Sequence, residues 1–309
     1  MVPRKPVVIF GDHTCAVKFS DGPFAQGADG IKILETDTRL VPKFLYFWLR
    51  TFPTKAEGYK RHFAALQRIE LPLPPLDEQE RIVAELEGYR KVIEGARQIL
   101  AAYKPTIWVD PRWPVKPLGD IIAGKPKNGY SGKPVDRPTK VKVLSLSATT
   151  SGRLDLSKFK YLDEEIDEDS PSRCRKGDIY LQRGNTSALV GTAALFDVDE
   201  KDYVYPDLMI RVRANESVVF SAYLLAAIQS PVARTFIKNN ASGSAGSMPK
   251  INQSVVESIP IPLPPLSTQR RIAAELEAER KLVEANRELI ARMEAKIKTK
   301  LAEVWGETG

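Results

Sequence analysis

The chain has 309 residues, 43% hydrophobic and 28% charged, which is enough core-forming material for two folded domains and excludes a disordered or fibrous chain. A net charge of +7 and a pI near 9.2 tilt the expected partner toward a polyanion such as nucleic acid. No apolar run approaches the roughly 18 residues of a membrane span, and the opening stretch MVPRKPVVIFGDH lacks a secretory core, which places the chain in the cytoplasm with no membrane partner.

In chain order, the first recognisable unit is a β-like run, GIKIL, followed by a polar turn and an aromatic and aliphatic helix containing FLYFWL (Phe44 to Leu49). Next comes IELPLPPLDEQERIVAELEGYRKVIEGARQIL from Ile69 to Leu100. Pro74-Pro75 forbids helix on its N-terminal side, so a helix begins there with Asp77 as the N-cap candidate. Ile82, Tyr89, Ala96 and Tyr103 recur every seven residues beside Leu86, Ile93 and Leu100, giving one continuous heptad seam.

Further along, Lys125, Lys127, Lys133, Arg137, Lys140 and Lys142 surround Tyr130 in a Gly/Pro-rich loop suited to phosphates; the charges alone fit a solvated loop equally well. LQRGNTSALVG places Gln182, Arg183 and Asn185 after a strand-like run, and these side chains can contact guanine or adenine bidentately. Gly184-Asn185 also reads as a turn dipeptide. A small-residue loop holding Ser244 and Ser247, followed by Lys250, Asn252 and Gln253, completes the candidate DNA-facing set. Catalytic patterns do not emerge. GDIIAGK spells GxxxxGK, but Pro126 stands where a P-loop needs Ser or Thr, and His13 and His62 have no nearby nucleophile. Cys15 and Cys174 form no disulfide framework or zinc pattern, so neither a metal nor a cofactor is expected.

A second β-like run, LMIRV, precedes a second aliphatic helix and then IPIPLPPLSTQRRIAAELEAERKLVEANRELI, from Ile259 to Ile290. This segment repeats the first at a fixed offset of 190 positions, from Ile69 to Ile259. The proline ladder recurs, Gln79, Arg81 and Ile82 fall on Gln269, Arg271 and Ile272, and exposed charges from Glu85 to Arg97 recur as well. Two unrelated amphipathic helices would share their apolar pattern but not their exposed charges, so this is an internal duplication. In the second helix, with Ser267 as its cap candidate, Leu276, Val283, Ile290, Ile297 and Val304 keep one apolar line beside a partly polar companion line. The dense charge and narrow seams predict that the two helices pair antiparallel as a coiled coil, Leu86, Ile93, Val283 and Ile290 mutually buried.

The IPLPPLxxQxRIxxELE junction, GDIYLQRGNTSALVGTAAL (Gly177 to Leu195) and VIFGDHTCAVKFSDGPFAQGADGIKIL (Val8 to Leu34) resemble the specificity subunit of type I restriction-modification systems over nearly the whole chain. The resemblance implies an α+β fold: mixed α/β target recognition domains joined by two long conserved helices packing as an antiparallel coiled coil. Its divisions would be residues 1–75 as the C-terminal part of a first recognition domain, 76–106 as the central helix, 111–260 as the second recognition domain and 264–305 as the C-terminal helix. About half of the first domain is then expected to be missing before Met1, leaving apolar surface such as FLYFWL uncovered. The implied partners are double-stranded DNA, methyltransferase subunits, restriction subunits through the complex and a possible second specificity chain. Arg81, Glu85, Arg271 and Glu275 are the expected docking residues. The helix lengths suggest a rod of about 39 Å, close to one turn of duplex. Two other readings stand beside this one: a non-reading scaffold that binds methyltransferase subunits, and a coiled-coil assembly module with no DNA role.

Overall fold

The computed structural model describes residues 5–25, 27, 30–51, 61–68, 70–103, 107–243 and 248–305, which fall into two compact units. The first combines the chain up to residue 103 with residues from 281 onward; the second covers 104–280.

In the first unit, β1 (Val7–Gly11), β2 (Val17–Ser20) and β3 (Ile31–Leu34) form an antiparallel sheet in the order β2-β1-β3. Helix α1 (Pro42–Thr51), the short α2 (Phe63–Leu66) and the long α3 (Leu76–Ala102) complete the N-terminal part. Val8 of the central strand joins Phe44, Tyr46, Phe47, Trp48 and Leu49 of α1 and Ile82, Val83 and Leu86 of α3 in one core. The expectation that FLYFWL would lie uncovered is therefore corrected. Five of its six residues are at most 8% exposed, and α3 packs over them.

The second unit opens with β4 (Val115–Pro117), β5 (Lys127–Asn128), β6 (Pro134–Val135), β7 (Val141–Leu144) and β8 (Phe159–Leu162). It continues with β9 (Asp178–Gln182), β10 (Ala193–Leu195), β11 (Tyr203–Val204), β12 (Met209–Arg213), α4 (Ser221–Gln229), α5 (Pro231–Asn240), α6 (Gln253–Glu257), β13 (Pro260–Pro262) and the start of α7 (Leu266–Trp305), whose part from Lys281 onward belongs to the first unit. Strands β10-β9-β12-β5 make an antiparallel sheet; β11-β7-β8-β6 make a second one, parallel only at β11-β7; β13 pairs with β4. All five residues of β9 are buried, and alternation explains why. Ile179 and Leu181 join Tyr223, Leu224, Ile228 and Ile237 of α4 and α5, while Tyr180 packs with Met209, Tyr205 and Phe196 in a separate core with Leu144 of β7.

The duplication is most exact at a buried glutamine. Gln79 Nε2 donates to the carbonyls of Arg39 (2.9 Å) and Pro74 (2.8 Å), and its Oε1 accepts from Val41 N–H (2.8 Å). Gln269 repeats this on Pro264 O (2.8 Å), Val218 O (3.2 Å) and Phe220 N–H (2.8 Å). Both are 0% exposed, so each helix entry is tied to the loop before α1 or α4 of its own unit. Asp77 and Ser267 are not the caps. Both helices already begin one residue earlier, at Leu76 and Leu266, and Pro75 occupies the cap position of α3 without a side-chain bond.

Within the first unit α3 and the Lys281–Trp305 part of α7 run antiparallel: Arg97 pairs with Glu294 (2.7 Å), Lys296 lies over Tyr89 and Lys300 meets Glu85 (3.2 Å). The coiled-coil seam is shifted from the expected one. Leu86 and Ile93 are buried, but Val283 and Ile290 are only half-buried, and the α7 residues packed on the core are Ile297, Leu301, Val304 and Trp305. The reason is register. Lys300 stands level with Glu85, so the last turns of α7 face Leu86, whereas Val283 falls near the end of α3.

Candidate nucleic-acid interface

Loops of the second unit meet at one end of its central sheet. Arg183 leaves β9 with its N–H donating to Leu208 O (2.7 Å) and its carbonyl accepting from Ile251 N–H (2.8 Å). Beyond β5, Gly129 N–H donates to Met209 O (3.2 Å), Tyr130 N–H to Tyr205 O (2.8 Å), and Asp207 N–H back to Tyr130 O (3.0 Å). Asn185 N–H donates to Pro249 O (3.3 Å), and Lys250 is bridged to both Gly184 and Ser242. Residues near 129, 184, 207 and 249 thus share one rim. Gly129 has to be glycine, because a Cβ there would lie 2.2 Å from the carbonyl oxygens of Tyr205 and Pro206.

Arg183 and Lys250 lie on this rim, Lys127 and Lys133 in the segments before and after Gly129 and Tyr130, and other expected residues are turned elsewhere. Lys127, Lys133 and Lys250 are exposed and Arg183 half-buried; none of the four has an ion pair among the described residues. Four uncompensated cations on one unit are what a phosphate backbone attracts. Gln253 is also exposed, at the first position of α6. Met248, 49% exposed, projects from the same loop as Lys250 and was not anticipated.

Gln182 is corrected from a base reader to a structural residue. It is 0% exposed, and its Nε2 donates to Leu146 O (2.8 Å) and the hydroxyls of Thr149 (3.0 Å) and Thr150 (3.2 Å). Strand parity carries the signal for this: Gln182 shares a face with Tyr180, toward the second core. Asn185 is also turned inward. Its Nδ2 donates to Gln182 Oε1 (2.6 Å) and its Oδ1 accepts from Thr186 N–H (2.8 Å), so both ends needed for a bidentate adenine contact are engaged. Asn252 caps α6, accepting from Val255 N–H at 2.9 Å.

Tyr130 O–H donates to Glu164, which pushes the phenol pKa upward, and Arg137 pairs with Asp163, so neither side chain is unpartnered. Ser244 and Ser247 lie outside the described residues. On the helices, Arg81 is exposed and bonded to Glu78, and Arg271 to Glu275. Glu85 does not face outward as expected. Tyr89 O–H (2.9 Å) and Lys300 hold its carboxyl below the ordinary carboxylate pKa, the tyrosine being the larger influence. Among the described residues no cluster of His, Cys, Asp or Glu could hold a metal ion, and no helix is long and apolar enough to cross a membrane.

The family described as the type I restriction modification DNA specificity domain matches residues 2–102 and 111–295. The EcoKI type I restriction enzyme specificity subunit of Escherichia coli strain K12 is 25% identical over 239 residues, 69% of this chain and 51% of that protein, so the chain spans about half the length of this relative. Among solved structures, a chain from a study of complex assembly and conformational transition of the type I R-M system superposes with a TM-score of 0.58 at 18% identity, covering 98% of this chain and 82% of that one. The type I restriction-modification S subunit from M. genitalium gives 0.54 at 14% identity, covering 99% and 84%. At these identities the two structures show the shared fold alone.

Proposed function

The chain belongs to the type I restriction modification DNA specificity family, and we propose on that footing that it is the non-catalytic DNA-reading subunit of a type I restriction-modification complex. In this reading the second unit binds one half of a split site on double-stranded DNA. The helices dock methyltransferase subunits, restriction subunits join through the complex, and the assembly works in the cytoplasm. The observation that carries the reading is the rim where Arg183 and Lys250 meet across Gly184, with Lys127 and Lys133 in the segment leading to and from Gly129. Lysines act as point charges on phosphates, while an arginine fork matches guanine O6 and N7. Arg183 is the side chain best suited to read a base, since Gln182 and Asn185 are held inside.

The test is binding selection from a random duplex pool, using the chain purified with its methyltransferase subunit. Arg183→Ala should lose discrimination at one base pair, about 1–3 kcal/mol, and leave the other positions intact. Lys250→Ala and Lys127→Ala should weaken all sequences alike and each lower the salt slope by about one. Equal loss on every sequence for Arg183→Ala would make it a phosphate contact, and unchanged binding in all three variants would remove the rim from the interface.

A further inference from the structure

Part of the basic segment of the second unit is occupied by the chain's own carboxylates. Leu162 of β8 pairs with Pro134 of β6 on one side and with Val141 of β7 on the other, so the chain leaving β8 emerges between the two ends of that segment. What emerges is Asp163-Glu164-Glu165-Ile166-Asp167-Glu168-Asp169, six carboxylates in seven residues. Asp163 pairs with Arg137, and Glu164 accepts from Tyr130 O–H. The one apolar residue of the run anchors it there: Ile166 and Tyr130 pack on the same small core of Val141, Val143, Leu162 and Val204. Behind it the Arg173 guanidinium, 8% exposed, donates to the carbonyls of Ile166, Asp167 (3.3 Å) and Lys201 (3.1 Å). An arginine spent on carbonyls fixes the backbone of the run without cancelling the charge of its side chains.

The contacts to Arg137 and Tyr130 are of a kind that DNA can replace. Arg137 and Asp163 are 65% and 52% exposed, so their pair adds little to stability and opens readily. A phosphate offers both chemistries, anionic oxygens for a guanidinium and an acceptor for a phenol O–H. Tyr130 is tied to the rim through Tyr205 and Asp207, which brings Glu164 close to the surface where Arg183 and Lys250 meet. Of the six cations between 125 and 142, Arg137 alone is paired with a carboxylate among the described residues. The run also repels a duplex that stands off the surface, and only a closely fitted one brings a phosphate near enough to displace Asp163.

We propose that Asp163 and Glu164 are specificity-determining residues, which withhold Arg137 and Tyr130 from loosely bound duplex and release them to phosphates in the fitted complex. The proposal rests on the reading of the second unit as a DNA reader, and it makes the run an internal competitor whose cost falls on non-target DNA.

The test uses the chain purified with its methyltransferase subunit and measures Kd by fluorescence anisotropy at several salt concentrations. Two labelled duplexes are compared, one selected from the random pool and one a scramble of it. Asp163→Asn with Glu164→Gln should tighten the scrambled duplex about three- to tenfold at low salt and steepen its salt slope by about one, Arg137 having gained a phosphate. The selected duplex should keep its wild-type slope and tighten less than twofold, so discrimination narrows. Asp167→Asn removes one charge from the same run without touching either contact, and should change the scrambled duplex less than twofold. Arg137→Ala added to the double variant should abolish the gain. The amides keep side-chain size and an acceptor for Tyr130 O–H, so thermal unfolding should match wild type. An equal gain on both duplexes, a gain that survives Arg137→Ala, an equal gain from Asp167→Asn, or no gain would each overturn the proposal. A pool that yields no selected duplex, or binding of neither duplex by wild type and double variant alike, would instead count against the broader reading.

Discussion

Replacing Gln269 by Met keeps the side-chain volume and removes the polar latch that ties the start of α7 to the loop before α4. Three hydrogen bonds at 2.8–3.2 Å disappear from a fully buried site. Each contributes about 0.5–1.5 kcal/mol net, and stranding the Phe220 N–H raises the cost, so the variant should lose about 2–4 kcal/mol. For a unit of this size that is a fall in Tm of about 5–15 °C. Gln269→Glu keeps the oxygen facing Phe220 N–H but turns an acceptor toward the carbonyls of Pro264 and Val218, and should be worse than Met. Gln79→Met should act in the same way on the first unit, through Arg39, Pro74 and Val41. Thermal and urea unfolding followed by circular dichroism would report the order wild type, Met, Glu. A loss below about 1 kcal/mol for Met, or a glutamate more stable than Met, would refute the latch.

Two further outcomes are expected. Gln182→Leu should lower stability and blur sequence preference at several positions together, unlike the single-position loss in Arg183→Ala, because Gln182 holds Asn185 and the Leu146–Thr150 turn; binding selection beside thermal unfolding would separate the two. Asp110, held to a pKa of about 2 by hydrogen bonds from Arg112, has a folded value below its unfolded one of about 3.9. Its contribution is therefore present above about pH 4 and is lost as pH falls toward 2, and Asp110→Asn should flatten stability across that window in acid titration.

The duplication, the two long helices and their antiparallel pairing were legible because periodicity and repeated exposed charges are local properties of the sequence. The register of the pairing was not. A heptad line states which face is apolar but not which heptads meet, and the tertiary packing of Trp305 on Phe44 drew the contact toward the end of α7. The rim was legible in part. Charge density singled out Lys127 and Lys133, side-chain chemistry Arg183 and the small-residue loop Lys250, but the same polar residue types serve inside and outside a loop. Gln182 and Asn185 read as base contacts and Asn252 as a DNA-facing side chain because the sequence does not show that Thr149, Thr186 and Val255 take up their polar atoms. Conversely, Gln79 and Gln269 stood in the repeat as identical polar residues, and their burial became visible only in the fold.

These corrections share one physical logic. A loop that reads DNA has to hold its backbone still while its outward side chains remain free to differ between relatives that read different sites. Buried amides do the first. Gln182 ties the start of the 183–186 loop to the Leu146–Thr150 turn, Asn185 closes back onto Gln182, and Asn252 fixes the start of α6 just beyond Lys250. What remains on the outside is Arg183, Thr186, Met248 and Lys250, none of which supports the frame through a described side-chain hydrogen bond or ion pair. Changing an outward residue should therefore shift preference with little effect on stability, and changing an inward amide should do the reverse. Arg183 and Gln182, neighbours in sequence, make the sharpest pair for that distinction, because one position of strand parity separates a side chain at the rim from one sealed beneath it.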